Sequence, residues 1–329
     1  MCHVSSSASM RHINGCPSLM PERSKHVNID GDVICYAAGF AAQSNEYHVR
    51  GDVFECKAEA VVFCKRYEIE QEEIEVRIIP EPIEFCLSTV KRMVKNIVEK
   101  SGSETYTVIL SGKGNFRIDL ATLQPYKGNR VSAKPIHYEA IRTYITAVLN
   151  SITVEGEEAD DYLSYRMVSH NETCATIDKD LRNTSGWHYN WNHDMVDYVP
   201  LRTANQNFWK QMLTGDATDN IAGLYKLTGS KCSAAMKSEI DKCLTYGEMK
   251  EAVVDTYSRA FEKLANKMGV EYVESDELAR ILTETGRLLW MRRCPDELWS
   301  ISYVPQEPAN RAGLATGESD REGVSDGSL

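Results

Sequence analysis

The ten cysteines of this 329-residue chain never fall into a C-x-x-C pair, and its eight histidines are scattered, so no zinc site or disulfide framework can be read from them. His188 and His193 stand close together and read as part of a surface turn. No G-x-x-x-x-G-K-[ST] or G-x-G-x-x-G run is present, which removes the usual nucleotide-binding loops. No apolar stretch is long enough to span a bilayer, and the polar, Ser-rich start lacks the apolar core of a signal peptide, so a cytoplasmic protein without a membrane partner is expected. Positive charge is also scarce. The 37 Lys and Arg against 48 Asp and Glu leave a net charge of −11, which taken as a sum weighs against a nucleic-acid partner.

The distribution of charge says more than its sum. Between Lys113 and Lys134 lie five basic residues (Lys113, Arg117, Lys127, Arg130 and Lys134) and one acid, Asp119, and a second basic stretch runs from Lys226 to Lys237. With 42% hydrophobic residues, the chain can bury the core of one large domain or two small ones. Residues 1–25 are polar and patternless, and 305–329 have the Gly, Ser, Glu and Asp content of a disordered tail. Between these ends, "HVNID", "TVILS", "SITVE" and "CATID" read as buried strands that finish at a polar residue. Ile83, Leu87, Val90, Val94 and Ile97 keep to one face of a helix, as do Tyr138, Ile141, Ile145 and Val148. Strand–helix alternation predicts a mostly parallel α/β sheet flanked by helices, with functional groups at the carboxyl ends of its strands. Residues 45–80 follow neither period and read as an elaborated connection.

"EGEEADD" places Glu155, Glu157, Glu158, Asp160 and Asp161 within seven positions. Such a run is either a solvated helix face or a cation site. Further acids decide for the cation. Asp30 and Asp32 end the first strand, Asp178 and Asp180 end "CATID" on one side of it, and "GDATDN" sets Asp216 and Asp219 beside Gly215, where backbone can approach closely. Four separate acidic groups are too many for solvated faces. Oxygen-only donors favour Mg²⁺ or Mn²⁺ over zinc, and two such ions supply what phosphodiester hydrolysis needs: an activated water and a stabilised leaving oxygen.

"VNIDGD", "NFRIDLATLQPYKGNR", "GEEADDYL", "ATIDKDL" and "LTGDATDNIAGL", in that order across roughly residues 26–245, resemble the 5′ nucleases, the flap endonuclease and 5′→3′ exonuclease family, and most of all its bacteriophage exonuclease branch. The resemblance implies one nuclease domain over 26–304, with a helical arch at about 113–140 and a helix–hairpin–helix-like DNA-binding element at about 221–245. It implies a first metal held by Asp30, Glu158, Asp160 and Asp161 and a second by Asp178, Asp180, Asp216 and Asp219. Arg117, Lys127 and Arg130 match basic residues that meet the scissile phosphate and its neighbours. Tyr126 is placed to stack on a base, Lys134 to touch DNA, and Gly229, Ser230 and Lys231 to present a hairpin to a phosphate, with K⁺ at that hairpin as in relatives. Asp32 has no counterpart in the site.

The chain departs from the family after the second strand, where relatives carry an aspartate and this sequence has Gly112. That predicts a weakened first metal site, which Gly112→Asp would repair, with Asp119 too far along to substitute. The activity implied is metal-dependent 5′→3′ exonucleolytic hydrolysis of duplex DNA, with RNA primers in hybrids as further substrates, in phage replication or recombination. A flap endonuclease, a weakened module that only holds branched DNA, and a ribonuclease with a related acidic site stay open as alternatives.

Overall fold

The computed structural model describes residues 20–130, 133–270 and 276–303. Its central sheet runs in the order β6 (Ser151–Val154), β5 (Thr105–Ser111), β1 (His26–Asp30), β7 (Thr173–Ala175), β8 (Gly186–Asn190) and β9 (Met195–Val199). All neighbours are parallel except β8 and β9. Val27, Ile29, Val108, Ile109 and Leu110 are fully buried, as continuous apolar strands must be when helices cover both faces.

On one face lie α1 (Gly31–Ala41), α3 (Ile83–Ser101) and α5 (Tyr138–Val148). The spacing of Cys86, Val90, Val94 and Ile97 turns one stripe of α3 inward, each large side chain adding roughly 1.5–3 kcal/mol. Gly102, at φ 68°, ends that helix in the left-handed conformation. Val148 leaves the expected stripe of α5. It is the last helical residue and is exposed. The opposite face carries α6 (Ala159–His170), whose Ala159, Leu163 and Met167 pack on Ile109 and Cys174.

A second core, rich in aromatics, forms beside the sheet. It is built from α7 (Leu201–Thr214), α8 (Leu224–Thr228), α9 (Ala234–Lys242), α10 (Tyr246–Met268) and α11 (Asp276–Leu289) around Phe208, Trp209, Tyr257, Trp290 and Trp299. A two-stranded ribbon, β10 (Gly215–Asp216) with β11 (Ile221–Ala222), joins α7 to α8.

Residues 43–80, which take in the unpatterned stretch 45–80, make a small unit of their own. β2 (Gln43–Val49) lies between β3 (Asp52–Phe54) and β4 (Glu75–Pro80), all antiparallel, with α2 (Lys57–Arg66) on one side, its Ala60 and Cys64 clustered with Val49 and Ile69.

Four expectations change. Residues 20–25 are tied down: the Arg23 guanidinium donates to Ser101 O (2.5 Å) and Trp187 Nε1 to Pro21 O (3.3 Å), so any tail lies within 1–19, outside the described residues, as does the tail at 305–329. β7 stops at Ala175, short of Asp178, so pleat alternation does not align Asp178 with Asp180. His188 lies buried in β8, giving a hydrogen bond to Thr184 O at 3.1 Å, and burial lowers its pKa to about 4. In the segment expected to arch, the described helix amounts to the five residues of α4 (Phe116–Leu120) and the first residues of α5 from Tyr138. Behind Pro125 the chain makes a turn at 126–129.

Candidate active site

The motifs converge at the carboxyl ends of the parallel strands. One cleft is lined by six acids, Glu158, Asp160, Asp178, Asp180, Asp216 and Asp219, with Tyr126, Lys127, Arg130 and Lys179 among them. Asp30 lies buried beneath. It caps α1 by accepting from Val33 N (3.0 Å) and accepts the Thr176 hydroxyl (2.8 Å). Glu158 occupies the N-cap of α6, which starts straight after β6 and so brings Asp160 to the same strand ends. Asp178 and Asp180 are gathered by a turn instead of a pleat: Asp178 N donates to Thr176 Oγ1 (3.0 Å) and Asp180 N to Asp178 Oδ1 (2.8 Å). The β10–β11 ribbon brings in Asp216 and Asp219. There a Cβ on Gly215, at φ 66°, would lie 2.4 Å from Gly223 N and Ile221 O, so the close backbone approach requires glycine.

The acids are short of positive charge. Burial, then the repulsion of Asp32 and Asp178, raises the Asp30 pKa to about 7. Burial and the charges of Asp30, Glu158 and Asp178 hold Asp160 well above the carboxylate range. Asp180 is raised to about 7 by burial and by its hydrogen bond to Asp216. Burial pushes Asp216 the same way, but that bond and the amides of Asp219 and Thr218 outweigh it and leave its pKa lowered. Their mutual hydrogen bond thus moves the two carboxyls in opposite directions.

The basic turn folds over these acids. Lys127, at φ 56°, gives its backbone N–H to Asp219 O (2.9 Å), its ammonium contacts Glu158, and Arg130 pairs with Asp219. As they stand, no three His, Cys, Asp or Glu side chains among the described residues come close enough to share an ion. The donor set nevertheless suits a hard cation: every acid offers oxygen alone, and burial with the charge of their neighbours raises the pKa values of Asp30, Asp160 and Asp180.

Three assignments need correction. Asp161 is buried and clamped by both Arg117 nitrogens, Nη1 at 2.6 Å and Nη2 at 2.8 Å, and also accepts Arg292 N at 3.0 Å, so its oxygens are taken. That pairing outweighs burial and keeps its pKa low. Arg117 is 1% exposed and bonds the carbonyls of Leu288 (3.1 Å) and Trp290 (2.7 Å); it braces the cleft floor and cannot reach out to a phosphate. Tyr126 is buried too, its hydroxyl between Glu158 (2.8 Å) and Asp219 (2.9 Å), which leaves no face for a base.

Other expected contacts lie outside the cleft. Lys134 pairs with Glu139 (2.9 Å) on the surface, and Gly229, Ser230 and Lys231 form the turn between α8 and α9. Asp32 pairs with Arg142 (2.9 Å), while Asp119 faces a separate hollow beside α11. Gly112 packs against β6: a Cβ there would lie 2.5 Å from both Val154 O and Glu155 Oε1. Sequence reading missed Leu288, Leu289 and Met291, which wall the cleft, and Arg292, whose guanidinium holds Glu157 at 3.0 Å. Leu288 and Leu289 end the amphipathic helix α11, Met291 and Arg292 follow it, and no motif marks any of them.

Fold and site together define a mixed α/β protein with an acid-lined, cation-bridged cleft at the ends of its parallel strands. Solved structures that the chain is similar to include 5′ nucleases. One is a bacteriophage T5 flap endonuclease variant in a complex with DNA and metal ions, at 12% identity and TM-score 0.40, matched over 80% of this chain and 98% of that one. Another is T5 5′-exonuclease with divalent zinc bound, at 14% identity and TM-score 0.39, over 80% of this chain and 99% of that one. Likenesses this loose transfer no residue roles. No protein-family model matches the chain, and no curated protein does.

Proposed function

We propose that this protein is a divalent-metal-dependent 5′→3′ nuclease acting on duplex DNA. The observation that carries the reading is the convergence of acids from separate segments, after β6, after β7 and on the β10–β11 ribbon, on one cleft with Lys127 and Arg130. Asp30, Glu158 and Asp160 would hold one Mg²⁺ or Mn²⁺, and Asp178, Asp180, Asp216 and Asp219 a second. Bound there, the ions would supply an activated water and charge stabilisation at the phosphate.

The protein's own part is positional. Lys127 and Arg130 offer cationic donors to a phosphate entering the cleft, and in its absence they rest on Glu158 and Asp219. Tyr126 keeps its proton, because burial and Glu158 raise its pKa, and its hydroxyl sits within hydrogen-bond distance of both Glu158 and Asp219, its one O–H serving one carboxylate at a time while it spaces the two. Arg117 and Asp161 hold the start of α6 against the C-terminal segment. The 5′ polarity and the choice between exonuclease and flap cutting rest on the motif resemblance.

Digestion of 5′-labelled, 3′-labelled and flapped duplexes, with and without Mg²⁺ or Mn²⁺, tests the reading. Metal-dependent release from 5′ ends is expected. Tight DNA binding without cleavage under any metal would favour a module that only holds DNA.

A further inference from the structure

The loop bearing Tyr126, Lys127 and Arg130 is fastened at two places. Its tip is held by the β10–β11 turn: Asn129 Nδ2 donates to Ala217 O (2.7 Å) and Asn220 Nδ2 to Pro125 O (3.0 Å). Its stem is held from far along the chain by Glu284 of α11. That carboxylate accepts Thr122 N at 2.7 Å, Leu123 N at 2.6 Å and the Thr122 hydroxyl. Arg280, one helical turn earlier, adds a contact at 3.4 Å while remaining half-exposed.

Glu284 is 7% exposed, on the inward side of a helix whose other buried residues are mostly apolar. A buried carboxylate costs several kcal/mol unless hydrogen bonds and charge compensate for it. Here three of the compensating donors belong to two adjacent residues of the stem. The stem enters Tyr126 three residues later, and Lys127 follows. A carboxylate so placed sets where the basic turn stands over the acids, although it touches none of them.

We propose that Glu284 is a positioning residue for Lys127 and Arg130. The proposal rests on the nuclease reading above for its effect on rate, but its effect on the loop can be measured without activity. The experiment compares full-length protein with Glu284→Ala and Glu284→Gln by amide hydrogen exchange over 121–130. Cleavage of a labelled duplex is measured alongside, in the parent and Lys127→Ala backgrounds. Glu284→Ala should speed exchange at 122–130 while leaving β1 and β5 protected, and lower kcat by roughly 10–100-fold. Gln keeps one carbonyl oxygen for the two amides and should restore most of both. In the Lys127→Ala background Glu284→Ala should cost little more, because the group it positions is already gone.

Unchanged exchange at 122–130, or an equal fold-loss of rate in both backgrounds, would overturn the proposal. If Glu284→Ala does not fold, Thr122→Val, which removes only the hydroxyl donor, makes the same comparison with Glu284→Gln. A parent protein that cleaves nothing would strike the nuclease reading instead, while the exchange data would still decide the positioning.

Discussion

A side chain at position 112 would have to share space with a backbone oxygen, Val154 O, which cannot give way as the tip of Glu155 can. Gly112→Asp is therefore expected to disturb the β5–β6 junction, not to repair a metal site. Both Gly112→Asp and Gly112→Ala should lose roughly 1–3 kcal/mol in urea melts; an Asp variant as stable as the parent and needing less Mg²⁺ would return that position to the site. Two other acids, adjacent in motif but not in role, separate in the same way. Asp161→Asn leaves Arg117 buried without its counter-charge and should cost about 3–5 kcal/mol of stability. Asp178, at the solvent side of the cleft, has no such partner, so Asp178→Asn should unfold like the parent, bind DNA at the same salt dependence and cleave nothing. Normal turnover in Asp178→Asn would remove that side of the cleft from the chemistry.

At the scale of elements, the 43–80 unit is an insertion that closes on itself. Ala42 O accepts Glu81 N at 2.8 Å, so the chain leaves and re-enters the main body at one point, and the unit's core shares no residue with the sheet's. Its outer strand β4 is exposed at every position, but Glu75, Arg77 and Pro80 make that edge a poor template for another strand. Replacing 43–80 with a short glycine link should leave a single cooperative thermal transition within a few degrees of the parent; loss of soluble, cooperatively folding protein would show that the unit is integral. This unit also shows where sequence reading fails. The parallel strands and the stripe of α3 were legible because a two-sided core demands continuous apolar runs and a fixed helical period. A three-stranded sheet whose strands bury only Val49 has no such demand to betray it, and the stretch reads as an elaborated connection. The acids were legible as types, since most of their motifs follow a strand of the central sheet. Their individual roles were not. Whether Asp161 faces a metal or Arg117, and whether Tyr126 faces a base or Glu158, depends on α11 and residues 288–293, which lie more than a hundred residues away in sequence and carry no motif.

Across the whole molecule, the net charge of −11 is unevenly felt. Surface acids are solvated or paired, but those of the cleft are crowded, and this couples folding to pH. Asp30 and Asp180, with pKa values raised to about 7 from an ordinary 3.8, keep their protons in the folded protein at pH values where the unfolded chain has lost them. A raised carboxyl pKa stabilises the fold fully below the unfolded value, and the contribution disappears as pH rises through the folded one. Asp161 has the opposite sign, its stabilisation being lost only in acid, below the window in which the other two titrate. Metal-free protein should therefore lose stability between about pH 4 and 7, with Tm falling by roughly 2–4 °C for each kcal/mol. Asp180→Asn, which cannot ionise, should flatten that fall. Millimolar Mg²⁺ should flatten it too, by occupying the carboxylates that otherwise bind protons and stabilising the fold through mass action. Thermal unfolding from pH 5 to 8.5, in chelator and in Mg²⁺, measures all three curves. A Tm that climbs with pH in chelator would mean that the cleft acids are not protonated in the folded state, and that Lys127, Arg130 and Arg117 already balance them.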